Sequence, residues 1–368
     1  MMKLRIYLSW VPTGISISVL CTLFYATILF KKGFIPHPFW LPLATYLIPL
    51  SILFSIVLFL LFIISKRPQK YAIGITFLIV FLFTLLLTYP FLSRTTSTSS
   101  TETFRVATWN VFRCHRGEDH VRDTLKAMNA DILAIQEVVD SERDGSDEWQ
   151  LDRITKPLGY TATFVGYREI KRDPLAGIAI CVREPVKLLS VDRRTYHPQG
   201  EWRYAFAEVG IHGQVINIVI PHLYPFALET TLNRAGRDIT KKIRRTAGRI
   251  WRTTYWHRQE SEELMRIVST FEDPTIILGD FNSTPTHPIH WRLRNSLVDC
   301  LMAVGKGLTP TYTFFLPIRI DYIYLTPTIH VQDARVIATT GSDHRPIIAD
   351  LSLSSSPKSL NNKVPTHK

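Results

Sequence analysis

Three long stretches near the start of the chain, Tyr7–Phe30, Trp40–Ile64 and Tyr71–Leu92, contain no charged residue. At 1.5 Å rise per residue each can cross a hydrocarbon core of roughly 30 Å. A helix buried in a soluble core keeps a polar stripe toward water, and these stretches have none. The pattern therefore predicts three transmembrane helices. Trp10, Trp40, Tyr46, Tyr71 and Tyr89 lie near their ends, where amphipathic rings favour the interface. The first stretch is too long for the apolar region of a cleaved leader, and no small-x-small site follows it. Lys3, Arg5, Lys66, Arg67 and Lys70 flank one side of the spans; Lys31, Lys32 and Arg94 flank the other. The excess of basic residues on the first side predicts a cytoplasmic N-terminus and an extracytoplasmic remainder.

After the spans the pattern changes. Residues 94–103 read Arg-Thr-Thr-Ser-Thr-Ser-Ser-Thr-Glu-Thr, a flexible polar tether. From there the chain alternates apolar and polar residues in short runs. Strands are predicted at Phe104–Val111, Ile132–Gln136, Ala162–Val165, Gly177–Val182, Trp202–Val209, Val215–Ile220, Thr275–Leu278, Ile320–Leu325 and Ile347–Leu351. Helical spacing appears at His120–Met128 and, in two longer pieces, at Leu228–Tyr255 and Gln259–Phe271. Strands outnumber helices, and hairpin-like pairs mix with crossovers. That predicts a layered α/β fold with mixed sheets. The expected organisation is a membrane anchor over 1–93, a linker over 94–103, one domain over 104–354 and a disordered tail over 355–368.

Composition narrows the function classes. Hydrophobic residues at 46% and aromatics at 11% exclude a mainly disordered chain. Cys21, Cys114, Cys181 and Cys300 are too scattered for a disulfide framework or a zinc site. The net charge of +12 misleads until it is divided by position. Residues 1–103 hold eight basic residues and one acid, +7 of that total, which leaves +5 for the rest. The total charge therefore implies no nucleic-acid partner.

The polar residues that end the strands are more informative. The first strand ends in Thr108-Trp109-Asn110, the second in Gln136-Glu137, and later ones in Pro221-His222 and Gly279-Asp280-Phe281-Asn282. Asp321 opens a late strand, and Ser342-Asp343-His344-Arg345-Pro346 precedes the last. Sheet edges of this kind are where layered folds build sites. Carboxylates and amides are hard oxygen donors that select Mg²⁺ or Mn²⁺ over zinc. His222 and His344 are natural acid–base groups. A metal beside imidazoles and carboxylates suits water attack on a phosphate ester.

Five motifs, Thr-Trp-Asn (108–110), Ile-Gln-Glu (135–137), Gly-Asp-Phe-Asn (279–282), Ile-Asp-Tyr (320–322) and Ser-Asp-His-Arg-Pro (342–346), resemble in this order the endonuclease/exonuclease/phosphatase superfamily. The resemblance runs from about Phe104 to Leu353 and is to the deoxyribonuclease and sphingomyelinase branches. It implies a four-layer α/β sandwich with two mixed β-sheets and metal-dependent phosphoester hydrolysis. By that resemblance Glu137 matches the principal metal carboxylate, with Asn110 beside it and Asp343 as a further metal-side acid. Asp280 and Asn282 match the pair that orients nucleophile and phosphate. His344 matches the base-like imidazole, Asp321 its orienting carboxylate, and His222 the second histidine, where apurinic endonucleases have tyrosine. Proline before His222 departs from the family pattern and fixes the backbone there.

Bland alternatives accompany these expectations. Asn110 can simply cap a strand, and Asp321 can pair with Arg319. His115, His120, His197, His212 and His257 match no motif and are expected at the surface. Asn233–Arg258 carries nine basic residues against Asp238, and fits a solvated helix face, a lipid-binding helix or a nucleic-acid surface. The leading expectation is a membrane-embedded Mg²⁺- or Mn²⁺-dependent phosphodiesterase, nuclease-like in activity. Within that reading nucleic acid, a lipid head group and a small phosphoester all stay open as substrate. The alternatives are a lipid or sugar phosphoesterase and a non-catalytic phosphate-binding membrane protein.

Overall fold

Phe104 and Val106 point one way from the first strand, Ala107 and Trp109 the other, and both faces are buried. The computed structural model describes residues 102–140, 149–166, 175–195, 202–225, 239–271, 274–285, 287–313 and 317–353. In chain order the strands are β1 (Thr103–Asn110), β2 (Ile132–Asp140), β3 (Thr161–Gly166), β4 (Leu175–Val182), β5 (Lys187–Thr195), β6 (Trp202–Ile211), β7 (Gln214–Pro221), β8 (Thr275–Asp280), β9 (Val298–Asp299), β10 (Asp321–Leu325), β11 (Ile329–Val336) and β12 (Ile347–Leu353). The helices are α1 (Glu118–Met128), α2 (Gln150–Thr155), α3 (Ile239–Val268), α4 (Pro288–Leu293) and α5 (Cys300–Ala303).

The strands form two six-stranded sheets, ordered β11-β12-β1-β2-β4-β3 and β5-β6-β7-β8-β10-β9. Each sheet has one parallel pair at its centre, β1 with β2 and β7 with β8, flanked by antiparallel pairs. The two sheets thus repeat one wiring pattern.

Period-two alternation sets which side chains meet. Val106 on β1, Ile132 and Ala134 on β2, Ile218 and Ile220 on β7, and Ile276 and Leu278 on β8 share one core between the sheets. Fully burying one such aliphatic side chain stabilises the fold by about 1.5–3 kcal/mol. The opposite face of the first sheet packs on Val121 and Leu125 of α1 and Ile154 of α2. The opposite face of the second packs on Leu264 and Ile267 of α3 and Leu293 of α4. The domain is therefore an α/β sandwich with helices outside both sheets.

Two expectations need correction. The helices predicted at Leu228–Tyr255 and Gln259–Phe271 are one continuous 30-residue helix, α3, and 228–238 lie outside the described residues. His257, expected at the surface, is fully buried on the inner side of that helix. Among the described residues no helix is long and apolar enough to cross a membrane. The three predicted spans and the predicted tail lie outside the described residues.

Candidate active site

The core face of the sandwich turns polar at one end. Following β1 inward, Val106 is succeeded two residues later by Thr108 and then by Asn110. On β8 the run is Ile276, Leu278, Asp280, and past β7 it is Ile218, Ile220, His222. Because β1, β2, β7 and β8 all present their C-terminal ends here, alternation alone delivers Asn110, His222 and Asp280 to one place.

Glu137 arrives by a different device. Gln136 already faces inward, bonding Thr108 Oγ1 at 3.1 Å, so the next residue should face out. A bulge in the β2–β4 register between Gln136 and Val138, with Glu137 at φ 55°, inserts one extra residue on the inner side. Val138 then resumes the outer core. Left-handed backbone at a residue other than glycine costs about 1 kcal/mol or more, which the ladder on both sides must hold in place.

The side chains then meet. Asn110 Nδ2 donates to Glu137 Oε1 at 3.0 Å and to Asp280 Oδ2 at 3.1 Å. Its Oδ1 accepts from the Phe112 N–H at 3.0 Å, so Asn110 caps the strand and bridges two carboxylates at once. His222 Nε2 lies 3.7 Å from Glu137 Oε1 and 3.6 Å from Asp280 Oδ2. His344 Nδ1 faces both oxygens of Asp321, at 3.0 and 3.2 Å, and its Nε2 is 3.9 Å from Asp280 Oδ2. Six of the eight predicted residues are thereby linked directly.

Asn282 and Asp343 join through the backbone. Asn282 N donates to Asp280 Oδ1 at 2.8 Å, and its Nδ2 donates to Leu223 O at 3.0 Å, which ties the end of β8 to the residue after His222. Asp343 is buried beside His344, its Oδ1 3.2 Å from Ser342 Oγ. The Asp321 carboxylate does not pair with Arg319, whose Nε donates only to the Asp321 carbonyl at 3.4 Å. The Arg319 guanidinium bonds Asp299 at 2.7 Å and lies over the Tyr322 ring, which leaves the Asp321 carboxylate to His344.

Several positioning residues were given no role by the sequence, although Trp109 and Ser342 stand inside its motifs. Ser342 Oγ donates to Asn110 O at 2.7 Å and accepts from His344 N at 3.1 Å, joining the first strand to the last turn. Trp109 Nε1 donates to His344 O at 3.0 Å. Thr311 Oγ1 accepts from the N–H of Asp321 at 3.1 Å. On the other side, Glu260 of α3 accepts the Tyr224 N–H with both oxygens, at 3.1 and 3.0 Å, while His257 Nε2 lies 2.6 Å from Tyr224 O. These contacts clamp the segment that follows His222.

Electrostatics differ sharply within the cluster. Burial pushes the Asp280 carboxyl up, and the neighbouring Asp321 carboxylate adds to that, against the opposing pull of His344 and the Asn282 N–H. Burial alone would lower His344, but Asp321 and Asp280 outweigh it and hold the ring as imidazolium, raised to about 10. Burial also pushes the Cys114 thiol up to about 12, away from nucleophilic use.

Which residues could hold a metal? Asp280, Asp321 and His344 each offer a ligand atom within 4.8 Å of the others. His344 Nδ1 already faces both Asp321 oxygens, so a metal there would break that pair. Glu137 Oε1 instead is held by Asn110 Nδ2 and faces His222 Nε2, a hard carboxylate oxygen of the kind that suits a divalent ion such as Mg²⁺ or Mn²⁺.

A model of the Endonuclease/Exonuclease/phosphatase family matches residues 107–344. No curated protein matches the chain. Among solved structures, the human Nocturnin catalytic domain with bound sulfate is 19% identical, over 68% of this chain and 94% of that one, at TM-score 0.48. A truncated Caenorhabditis elegans TDP2 is 18% identical, over 68% and 97%, at TM-score 0.47. An endonuclease/exonuclease/phosphatase from Beutenbergia cavernae is 21% identical, over 70% and 73%, at TM-score 0.49.

Proposed function

This chain belongs to the endonuclease/exonuclease/phosphatase family, and from that premise we propose that it is a divalent-metal-dependent phosphodiester hydrolase. The observation that carries this reading is the convergence of Asn110, Glu137, His222, Asp280 and the Asp321–His344 pair at one end of the sandwich. A bound Mg²⁺ or Mn²⁺ would neutralise phosphate charge and steady the leaving oxygen. Glu137 is the carboxylate to hold it, its Oε1 fixed by the Asn110 amide, with Asp343 as a further acid.

The chain's own groups divide the remaining work. Asp280, its carboxyl raised by burial, is suited to take the proton of an attacking water near neutral pH. The Asn282 N–H fixes one of its oxygens, which leaves the other turned toward His222 and His344. His344, kept charged by Asp321, is suited to bind a phosphate oxygen through Nε2. His222 is placed to assist the leaving group. The hydrophobic pattern supports anchoring through residues 7–92, with the domain extracytoplasmic. A reporter fused after Lys368, active only in one compartment, tests that side.

The test of the activity is hydrolysis of bis-p-nitrophenyl phosphate by the full chain in detergent. Turnover should vanish with chelator and return with Mg²⁺ or Mn²⁺. Glu137→Gln should require at least ~10-fold more metal for half-maximal rate. Turnover indifferent to chelator would overturn the metal assignment.

A further inference from the structure

The turn that follows β8 is held in an unfavourable shape by residues that the chemistry above does not use. Asn282 has φ 47°, left-handed backbone at a residue other than glycine. Asparagine tolerates that region better than most residues, but at a cost that the surroundings must hold down. In this shape the Asn282 N–H reaches Asp280 Oδ1 at 2.8 Å, and its Nδ2 reaches Leu223 O at 3.0 Å.

The groups that fix the turn lie on the outer face of the second sheet. Alternation along β10 sends Asp321 inward to His344, and Tyr322 and Tyr324 outward. Pro288 begins α4, and the His287 ring caps it by accepting from the Ile289 N–H at 3.4 Å. Two residues on, the helix lays His290 over Tyr322, with ring centroids 3.9 Å apart. His290 is fully buried, and both its ring nitrogens are bonded. Nδ1 lies 2.8 Å from Tyr324 Oη, and Nε2 lies 2.9 Å from Ser283 Oγ and 3.3 Å from Ser283 O. A carbonyl can only accept, so Nε2 carries the proton and Nδ1 accepts from Tyr324. Burial, and then the nearby Arg294 and Arg319, hold the ring well below the ordinary histidine pKa, so it is neutral. Tyr322 Oη donates to the same Ser283 carbonyl at 2.9 Å, and both Nη atoms of Arg294 reach Pro285 O at 3.1 Å. Packing alone would accept an apolar ring between Phe281 and Tyr322. The imidazole adds a directed bond to the residue next to Asn282.

We propose that His290 is a positioning residue, which through Ser283 holds Asn282 left-handed and so keeps Asp280 aimed at the attacking water. It lies on the opposite face of the sheet from Asp280 and acts only through the turn. Its effect on rate rests on the hydrolase reading above, whereas its effect on the turn rests on the geometry alone.

The test uses the full chain in detergent. Amide hydrogen exchange, read by mass spectrometry over 279–284, follows the turn, and hydrolysis of bis-p-nitrophenyl phosphate follows the chemistry. His290→Leu should speed exchange at Asn282 at least about tenfold, while the amides of β1 stay protected. It should lower kcat at least about tenfold and leave KM within about twofold, because aim is lost and binding is not. Ser283→Ala removes a single oxygen, so it carries the same two measurements where His290→Leu does not fold. Together the two substitutions should cost no more than the worse of them, since one residue acts through the other. His290→Gln, whose amide can donate to Ser283, should bring kcat back to within about threefold of the parent. Unchanged exchange at Asn282 in a folded variant would overturn the proposal, as would losses that multiply or equal damage from Leu and Gln. Diester hydrolysis by the parent with parent-like kcat in folded His290→Leu would sink the positioning role and leave the hydrolase standing. Faster exchange at Asn282 in a chain that hydrolyses no diester would do the reverse.

Discussion

Gly279 faces the backbone of Pro221 so closely that a Cβ on the glycine would lie 2.1 Å from the proline's carbonyl oxygen. The two residues immediately precede Asp280 and His222, which pair across β7 and β8 as an isolated parallel bridge. Proline has no N–H for the ladder, and the glycine beside it lets the strands stay close enough for pairing to resume at the next residue. The pair thus answers how His222 is aimed after a proline.

Gly279→Ala should therefore push the two strands apart at the rung that carries both side chains. We expect a stability loss of about 1–3 kcal/mol and a fall in turnover of roughly 100-fold. Denaturant unfolding and turnover of the same preparation check this. Unchanged turnover would mean that the spacing of Asp280 and His222 is not set here.

Asp321→Asn removes the carboxylate that keeps His344 charged. The imidazole should then titrate well below its parent value, and turnover should fall by about 10²–10⁴-fold. NMR titration of the ring and a pH–rate profile read the two effects separately. A fall in rate with no change in ring titration would assign Asp321 a purely steric role.

The same pair makes metal-free stability pH dependent. The folded His344 value is raised, to about 10, above the unfolded value of about 6.5. Its stabilising contribution is therefore full below about pH 6.5 and is lost as pH rises toward 10. Asp280, also raised, titrates lower, up to about 7, so pH 7.5 to 10 isolates the histidine. In chelator, the stability advantage of the parent over His344→Gln should shrink across that range. An advantage that is flat with pH would contradict the assignment.

Glu260→Ala leaves the half-buried Tyr224 N–H without its two carboxylate contacts. A loss of about 1–3 kcal/mol is expected, with turnover down roughly 10-fold as His222 loosens. Glu260→Gln should restore most of the turnover, since its amide oxygen can still accept. Equal damage from both variants would point to the charge rather than the bond.

The strand-end residues were legible because alternation carries chemistry and direction together. An apolar run with Asn110 or Asp280 in phase with its core positions already places that side chain between the sheets. Glu137 was out of phase, and only its motif marked it, because the bulge that turns it inward depends on the partner strand β4. Thr311 could not be read, and the motif marked Ser342 without its role, since Thr311 acts on Asp321 ten residues on and Ser342 on the distant Asn110.

The missed elements share physical causes. β5 and β11 form the edges of their sheets and carry charged residues such as Arg193 and Asp333, which blunt alternation. The expected break in α3 fell where Thr253, His257 and Glu260 interrupt its apolar periodicity. His257 and Glu260 interrupt it because they bond the backbone of Tyr224 after His222.

The most direct test of the account is turnover of a simple phosphodiester, with saturating Mg²⁺, by the parent chain and by His344→Ala and Asp280→Asn. Circular dichroism establishes that the variants are folded. The account predicts a loss of at least about 10³-fold in each, since both groups act on the reacting phosphate or its attacking water. Parent-like turnover in either folded variant would place the chemistry elsewhere and contradict the site described above.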